Sequence, residues 1–128
     1  MAATVVKWVW TGRVLSWLVS IAFLLSAFMK LKGGEEVTQG LASLGLPERM
    51  LRPLAILELT CVVIYLIPVT SVLGAILLTG YMGGAICTHW RVGDPFVAQI
   101  AIGVVVWLGV CLRDARLRAL LPLRQPAR

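Results

Sequence analysis

A glutamate stands inside an apolar run of the chain, in Ala55-Ile56-Leu57-Glu58-Leu59-Thr60-Cys61. A carboxylate at that depth in an apolar medium costs about 3 kcal/mol unless it is protonated or paired. Such an acid can handle a proton or orient a ligand; the plain alternative is a structural carboxyl hydrogen-bonded to a neighbouring helix. His89, the single histidine of the sequence, ends another apolar run in Thr88-His89-Trp90-Arg91. An imidazole beside a carboxylate favours the charged form of each and suits proton transfer, whereas a lone interfacial histidine can simply cap a helix. Glu58 and His89 are therefore the candidate catalytic residues. Ser26, Lys30, Tyr81, Arg91 and Gln99 are the candidate binding residues, with Lys30 and Arg91 able to stabilise developing negative charge. Cys61 lies near Glu58, but an apolar site disfavours a thiolate, so Cys61 and Cys87 read as small buried hydrophobes. The three cysteines form no C-x-x-C pair, and the chain carries no metal, haem or flavin signature. These residues by themselves name no cofactor.

Four apolar runs must position these groups: Val14 to Met29, Leu54 to Val69, Val72 to Thr88 and Phe96 to Leu112. Flanking residues extend them to spans of about 9–30, 52–69, 71–90 and 95–113, near the ~20 residues that cross a bilayer core. Arg13, Lys30, Arg52 and Arg113 flank the runs and can snorkel, and Trp8, Trp10, Trp17, Trp90 and Trp107 lie mostly toward run ends. The composition agrees. The chain has 128 residues, 59% hydrophobic and only 14% charged, where a soluble domain carries about 25% charged. Its mean hydropathy is +0.91. The expected fold is all-α, an integral membrane up-down four-helix bundle in one domain, 1–128. Pro68-Val69-Thr70-Ser71 and Arg91-Val92-Gly93-Asp94-Pro95 are tight connections that force antiparallel neighbours. The longer first loop, Lys30 to Arg52, has room for a short amphipathic or re-entrant helix at Val37 to Leu44. The first run has the length and basic start of a leader but no convincing A-x-A-like site, and is read as a span. Gly80 and Gly84 make a GxxxG that is expected to pack helices within the bundle.

The net charge is +6 and the pI about 9.9. No basic stripe with interleaved aromatics appears, which excludes nucleic acid as a partner. The excess follows the positive-inside pattern instead. With four spans, Lys7, Arg13, Arg113, Arg116, Arg118, Arg124 and Arg128 fall on the side of the termini. Lys30, Lys32, Arg49, Arg52 and Arg91 fall opposite, offset by Glu35, Glu36, Glu48 and Asp94. Both termini are thus expected in the cytoplasm, with the protein multi-pass in a bacterial inner membrane. The same topology puts Lys30, Glu58, His89 and Arg91 in the opposite half of the membrane. Helical spacing puts Tyr81, Ala85 and His89 on one face, Glu58, Cys61 and Tyr65 on another, Ser26 and Lys30 on a third, and Gln99, Gly103 and Trp107 on a fourth. Turned inward, these faces enclose a polar pocket; interhelical hydrogen bonding alone is the alternative.

Several of these residues carry a resemblance. Gly12-Arg13-Val14-Leu15 through Ser26-Ala27-Phe28-Met29-Lys30-Leu31, then Leu57-Glu58, then Gly80-Tyr81-Met82-Gly83-Gly84-Ala85 with His89, Arg91, Gly93, Asp94 and Pro95, resemble the DoxX-like membrane proteins over nearly the whole chain. The resemblance implies a four-helix membrane bundle and singles out Lys30, Glu58, His89 and Arg91. Relatives include subunits of thiosulfate:quinone oxidoreductases and other membrane redox assemblies, and others act in cargo export or receptor assembly. Three functions follow as expectations. The first is a redox-linked or accessory subunit holding a quinone-like or other lipophilic molecule, with His89 and Tyr81 hydrogen-bonding a carbonyl. The second is a cofactor-free enzyme that opens or isomerises a ring on a small lipophilic substrate with Glu58 as acid or base. The third is a non-catalytic scaffold or chaperone. Expected partners are the lipid bilayer, a lipophilic small molecule, and a second copy or another membrane protein.

Overall fold

The computed structural model describes residues 2–124 and 126. These residues form helices and turns, with no strand among them. Helix α1 spans Ala2–Lys32, α2 Glu35–Ser43, α3 Leu51–Leu66, α4 Ser71–Arg91, α5 Val97–Arg113 and α6 Ala115–Arg118. Short 3-10 turns at Glu48–Met50 and Pro68–Thr70 lead directly into α3 and α4. Arg128, counted among the basic residues of the terminal side, lies outside the described residues. The helix expected in the first loop is α2, which buries Leu41 and keeps Glu35 and Glu36 in its exposed first turn.

The prolines fall where a helix tolerates them. Pro53 sits in the first turn of α3, where its missing N–H has no helical partner to lose. Pro68 opens the turn between α3 and α4, and Thr70 Oγ1 donates to the Ile64 carbonyl at 2.8 Å, closing the end of α3. The ends of α2 and α4 use the same device. Gly45 (φ 76°) and Gly93 (φ 74°) adopt the left-handed backbone. Leu46 then donates to the Leu41 carbonyl and Asp94 to the His89 carbonyl, each at 2.9 Å, the Schellman closure that glycine makes easy.

Two segments, Ala2–Lys32 and Pro68–Arg91, are long and apolar enough to cross a membrane, and α5 is apolar but shorter. Only 28% and 22% of their apolar windows are buried within the protein. The core helix of a water-soluble protein would be mostly buried; here Leu18, Ile21, Leu25, Phe28, Ile76 and Val97 lie outward and exposed. An apolar exterior of this extent fits lipid rather than water.

Helix α1 packs on α3 and α5, and α4 packs on the same two helices. At the end near the N-terminus the contacts are tight because three glycines lack a side chain. A Cβ on Gly12 would lie 2.8 Å from the Gly109 carbonyl oxygen, one on Gly109 would meet Ser16 Oγ, and one on Gly74 would run into the backbone of Tyr65. Tyr65 fills this end, with no exposed surface. Its hydroxyl donates to the Val106 carbonyl at 2.8 Å and sits 3.1 Å from Ser16 Oγ, and the Arg113 guanidinium lies 5.3 Å from its ring centre. The expected packing role of Gly80 and Gly84 is not what the structure shows. Both are exposed, and a Cβ at either would meet no atom within 4 Å. Close approach falls to Gly12, Gly74 and Gly109 instead, because it is the Tyr65 end of the helices that converges.

Candidate ligand-binding site

The opposite end of the helices is open inside. A cavity of about 570 Å³ lies among α1, α3, α4 and α5, with side chains of α2 and the segment after it closing its loop side. The walls are mostly apolar, and the polar groups come in two sets.

Glu58 is the centre of the first. It is 2% exposed, two turns into α3. Lys30 Nζ approaches its Oε2 at 2.7 Å, the distance of an ion pair. Ser26, one helical turn before Lys30 on α1, accepts from Lys30 Nζ at 2.6 Å and donates to the same Oε2 at 3.3 Å. Tyr81 on α4 donates its hydroxyl proton to Oε2 at 3.3 Å. Its ring is held edge-on by Phe23, with centroids 6.4 Å apart. Three helices thus meet at one oxygen: α1 contributes two donors, α4 one, and α3 the acceptor. Pairing offsets the cost of burying the charges, which is several kcal/mol for each ion left alone. Oε1 receives no hydrogen bond from a described residue.

His89 and Gln99 form the second set. His89 Nδ1 lies 2.7 Å from the Ala85 carbonyl, one turn back on α4. A carbonyl can only accept, so Nδ1 carries the proton, and in that tautomer Nε2 is the acceptor. Gln99 Nε2, 3.3 Å away, supplies the donor. Asp94 Oδ2 stands 3.9 Å from the same ring nitrogen but is half exposed. The Gln99 carbonyl oxygen is buried and has no partner among the described residues.

Ser26, Lys30, Glu58, Tyr81, His89 and Gln99 all border this one cavity, as does Cys61. Arg91 does not. Its guanidinium donates to the Leu44 carbonyl at 2.6 Å and packs over Gly45. It leaves the polar pocket for the loop because it lies beyond the last turn that faces inward. There it fastens the segment that carries Leu41, Leu44 and Leu46 over the cavity. Arg91→Ala is expected to raise hydrogen exchange at the α2 amides roughly three- to ten-fold, from the loss of a bond worth about 1 kcal/mol net. Unchanged exchange there would show that the segment is held by its apolar contacts alone.

Three further expectations resolve differently. Tyr65 shares a face with Glu58 and Cys61 but lies below the cavity, in the packed end. Cys87 is exposed on the outer side of α4 and is no core residue, whereas Cys61 is buried. Trp107 and Gly103 lie away from the cavity, Trp107 donating its indole N–H to Thr79 Oγ1 at 2.6 Å. The roof residues and Phe23 escaped sequence reasoning. The amphipathic pattern of α2 signalled a buried face but not what that face covers.

No group of three or more histidine, cysteine, aspartate or glutamate residues that could hold a metal occurs among the described residues. A family model described as the DoxX-like family matches residues 14–112, a range that contains both polar sets. No curated protein and no solved structure matches the chain.

Proposed function

The chain belongs to the DoxX-like family, and from that premise we propose that it is a multi-pass membrane protein that holds a lipophilic small molecule in the cavity around Glu58. The family and the two long apolar helices point to a membrane protein. The finer reading is a single domain, 1–128, built as an up-down four-helix bundle with spans at about 9–30, 52–69, 71–90 and 95–113. Lys7, Arg13, Arg113, Arg116 and Arg118 gather near one membrane face, which favours cytoplasmic termini in a bacterial inner membrane. The cavity then opens in the opposite half.

One observation carries the ligand reading: a buried Lys30–Glu58 pair at 2.7 Å forms part of the wall of a largely apolar cavity. Scaffolding alone gives no reason to build a cavity of about 570 Å³ beside a costly ion pair. A ligand that is mostly apolar, with one polar end, suits both features. A quinone-type carbonyl would need donors from His89 and Tyr81. Those protons are directed to Ala85 and Glu58, so the broader class of lipophilic small molecule is the reading taken forward. The test is mass spectrometry of small molecules that co-purify with the protein in lipid nanodiscs. Wild type is expected to retain one lipophilic species near stoichiometry. Absence of any such species, together with unfolding of Glu58→Gln, would favour a scaffold instead.

A second reading has its own support. Glu58 Oε1 takes no hydrogen bond from a described residue, while Oε2 receives three. The paired oxygen fixes the carboxylate, and the other can take or give a proton to a bound substrate. Glu58→Gln separates the two readings. It should abolish turnover of the retained molecule while leaving its retention in place; unchanged turnover would remove the acid–base role.

A further inference from the structure

Given a lipophilic occupant, we propose that it is a single-tailed amphiphile that reaches the cavity sideways from the bilayer, its tail lying between α3 and α4 over Gly80 and Gly84 and its head donating a hydrogen bond to Gln99. The route follows from what is closed and what is open. Toward the loop side, Leu41, Leu44 and Leu46 cover the cavity, and Arg91 pins that segment through the Leu44 carbonyl. Toward the N-terminal end, Gly74 brings α4 into contact with the Tyr65 backbone, and nothing passes there. Farther along α4, a Cβ on Gly80 or Gly84 would meet no atom of α3 within 4 Å. Leu57 is 50% exposed and Leu77 37% exposed, yet both border the cavity, together with Gly80 and Gly84. These residues face the cavity and the exterior at once. Any larger side chain on α4 at 80 or 84 would stand in the gap, where a Cβ currently meets nothing within 4 Å. The mouth so formed is lined by Leu57, Leu77, Gly80 and Gly84, without a charged side chain, which suits a hydrocarbon tail.

The head follows from the hydrogen-bond ledger. Lys30 directs one proton to Glu58 and one to Ser26, the Ser26 and Tyr81 hydroxyls donate to Glu58, and His89 directs its proton to Ala85. The Gln99 amide N–H points at His89, which leaves its buried carbonyl oxygen as an acceptor without a donor. A hydroxyl or N–H head completes it; an ether or ester head does not.

The experiment uses the full chain in vesicles of phosphatidylethanolamine and phosphatidylglycerol and a saturated C14 alcohol carrying a mid-chain diazirine. Photolysis is expected to place adducts on α3 and α4 around Leu57, Leu77 and Ala85. Gly84→Leu should reduce them at least tenfold, and Gly80→Leu serves as a second block should Gly84→Leu not fold. Gly83→Leu adds the same bulk on the same helix without bordering the cavity, and should leave labelling within about twofold of wild type. Unlabelled C14 alcohol should compete at least tenfold better than its methyl ether, and Gln99→Leu should erase that difference. Labelling that ignores Gly84→Leu and Gly80→Leu, or that falls equally with Gly83→Leu, overturns the lateral route. Equal competition by the ether overturns the donor head. The binding reading fails separately: labelling through the mouth with no molecule co-purifying leaves the route standing and removes a retained native ligand.

Discussion

Replacing Lys30 with methionine is expected to destabilise the folded protein by about 3–5 kcal/mol, the usual cost of removing one partner from a buried ion pair. Glu58 would keep only the Ser26 and Tyr81 hydroxyls, both at 3.3 Å, and neither carries charge. Glu58→Gln is expected to cost much less. Lys30 belongs to the last turns of α1 and retains 16% of its side-chain exposure, against 3% for Glu58. A lysine in that position can turn its ammonium toward the interface once its partner is gone, and the glutamine carbonyl can still accept from Ser26 or Tyr81. The carboxylate has no such retreat. The double variant Lys30→Met with Glu58→Gln should recover most of the loss, because no uncompensated charge remains. A double-mutant cycle on unfolding midpoints in mixed detergent and SDS measures the coupling. Equal single costs that simply add would mean that the two side chains do not stabilise each other.

This asymmetry bears on function. If Glu58 were needed mainly to hold helices together, its replacement would cost as much as that of Lys30. A cheap Glu58→Gln leaves a folded protein in which ligand retention and turnover can be read without interference. The pair then reads as a device that sets the carboxylate in place, with Lys30 supplying the charge that makes its burial tolerable and Tyr81 and Ser26 fixing which oxygen is engaged.

The polar cluster was legible in the sequence because it rests on local arithmetic. Ser26 and Lys30 are one turn apart on one helix, as are Tyr81, Ala85 and His89, and the alternation of runs puts these groups at the same end as Glu58. Spacing specifies a face, but it does not specify where along that face two helices separate. Glu58, Cys61 and Tyr65 share a stripe, yet the first two meet the cavity and the third is packed solid. The difference is made by Gly74 on α4, which draws the helices together beside Tyr65 alone. Arg91 is a similar case. Its place after His89 suggested a ligand contact, but its partner is a carbonyl in a loop whose path depends on the φ of Gly45. A contact so distant in sequence leaves no periodic trace. The glycines show the limit most clearly. GxxxG spacing drew attention to Gly80 and Gly84, while Gly12, Gly74 and Gly109 looked ordinary. Which glycine faces a neighbour is set by the crossing of whole helices, not by the interval between two residues.

The same substitution ten residues apart on α4 should therefore have opposite effects. Gly74→Ala is expected to destabilise by an amount at the upper end of about 1–3 kcal/mol, the range for overpacking. The added methyl would collide with the Tyr65 backbone. No rotamer change relieves a clash with backbone, so α3 and α4 must separate. That movement also strains the bonds from the Tyr65 hydroxyl to the Val106 carbonyl and toward Ser16. Gly84→Ala meets nothing within 4 Å, and alanine favours a helix interior over glycine by up to about 1 kcal/mol, so this variant should be neutral or slightly more stable. Unfolding midpoints of the two proteins in the same detergent mixture provide the measurement. A shared loss would mean that α4 is packed along its whole length and that no mouth opens at Gly84. A shared gain would mean that the Tyr65 end is loose. A loss at 74 with none at 84 describes a helix pair clamped at one end and parted at the other, the shape that a sideways path to Glu58 requires.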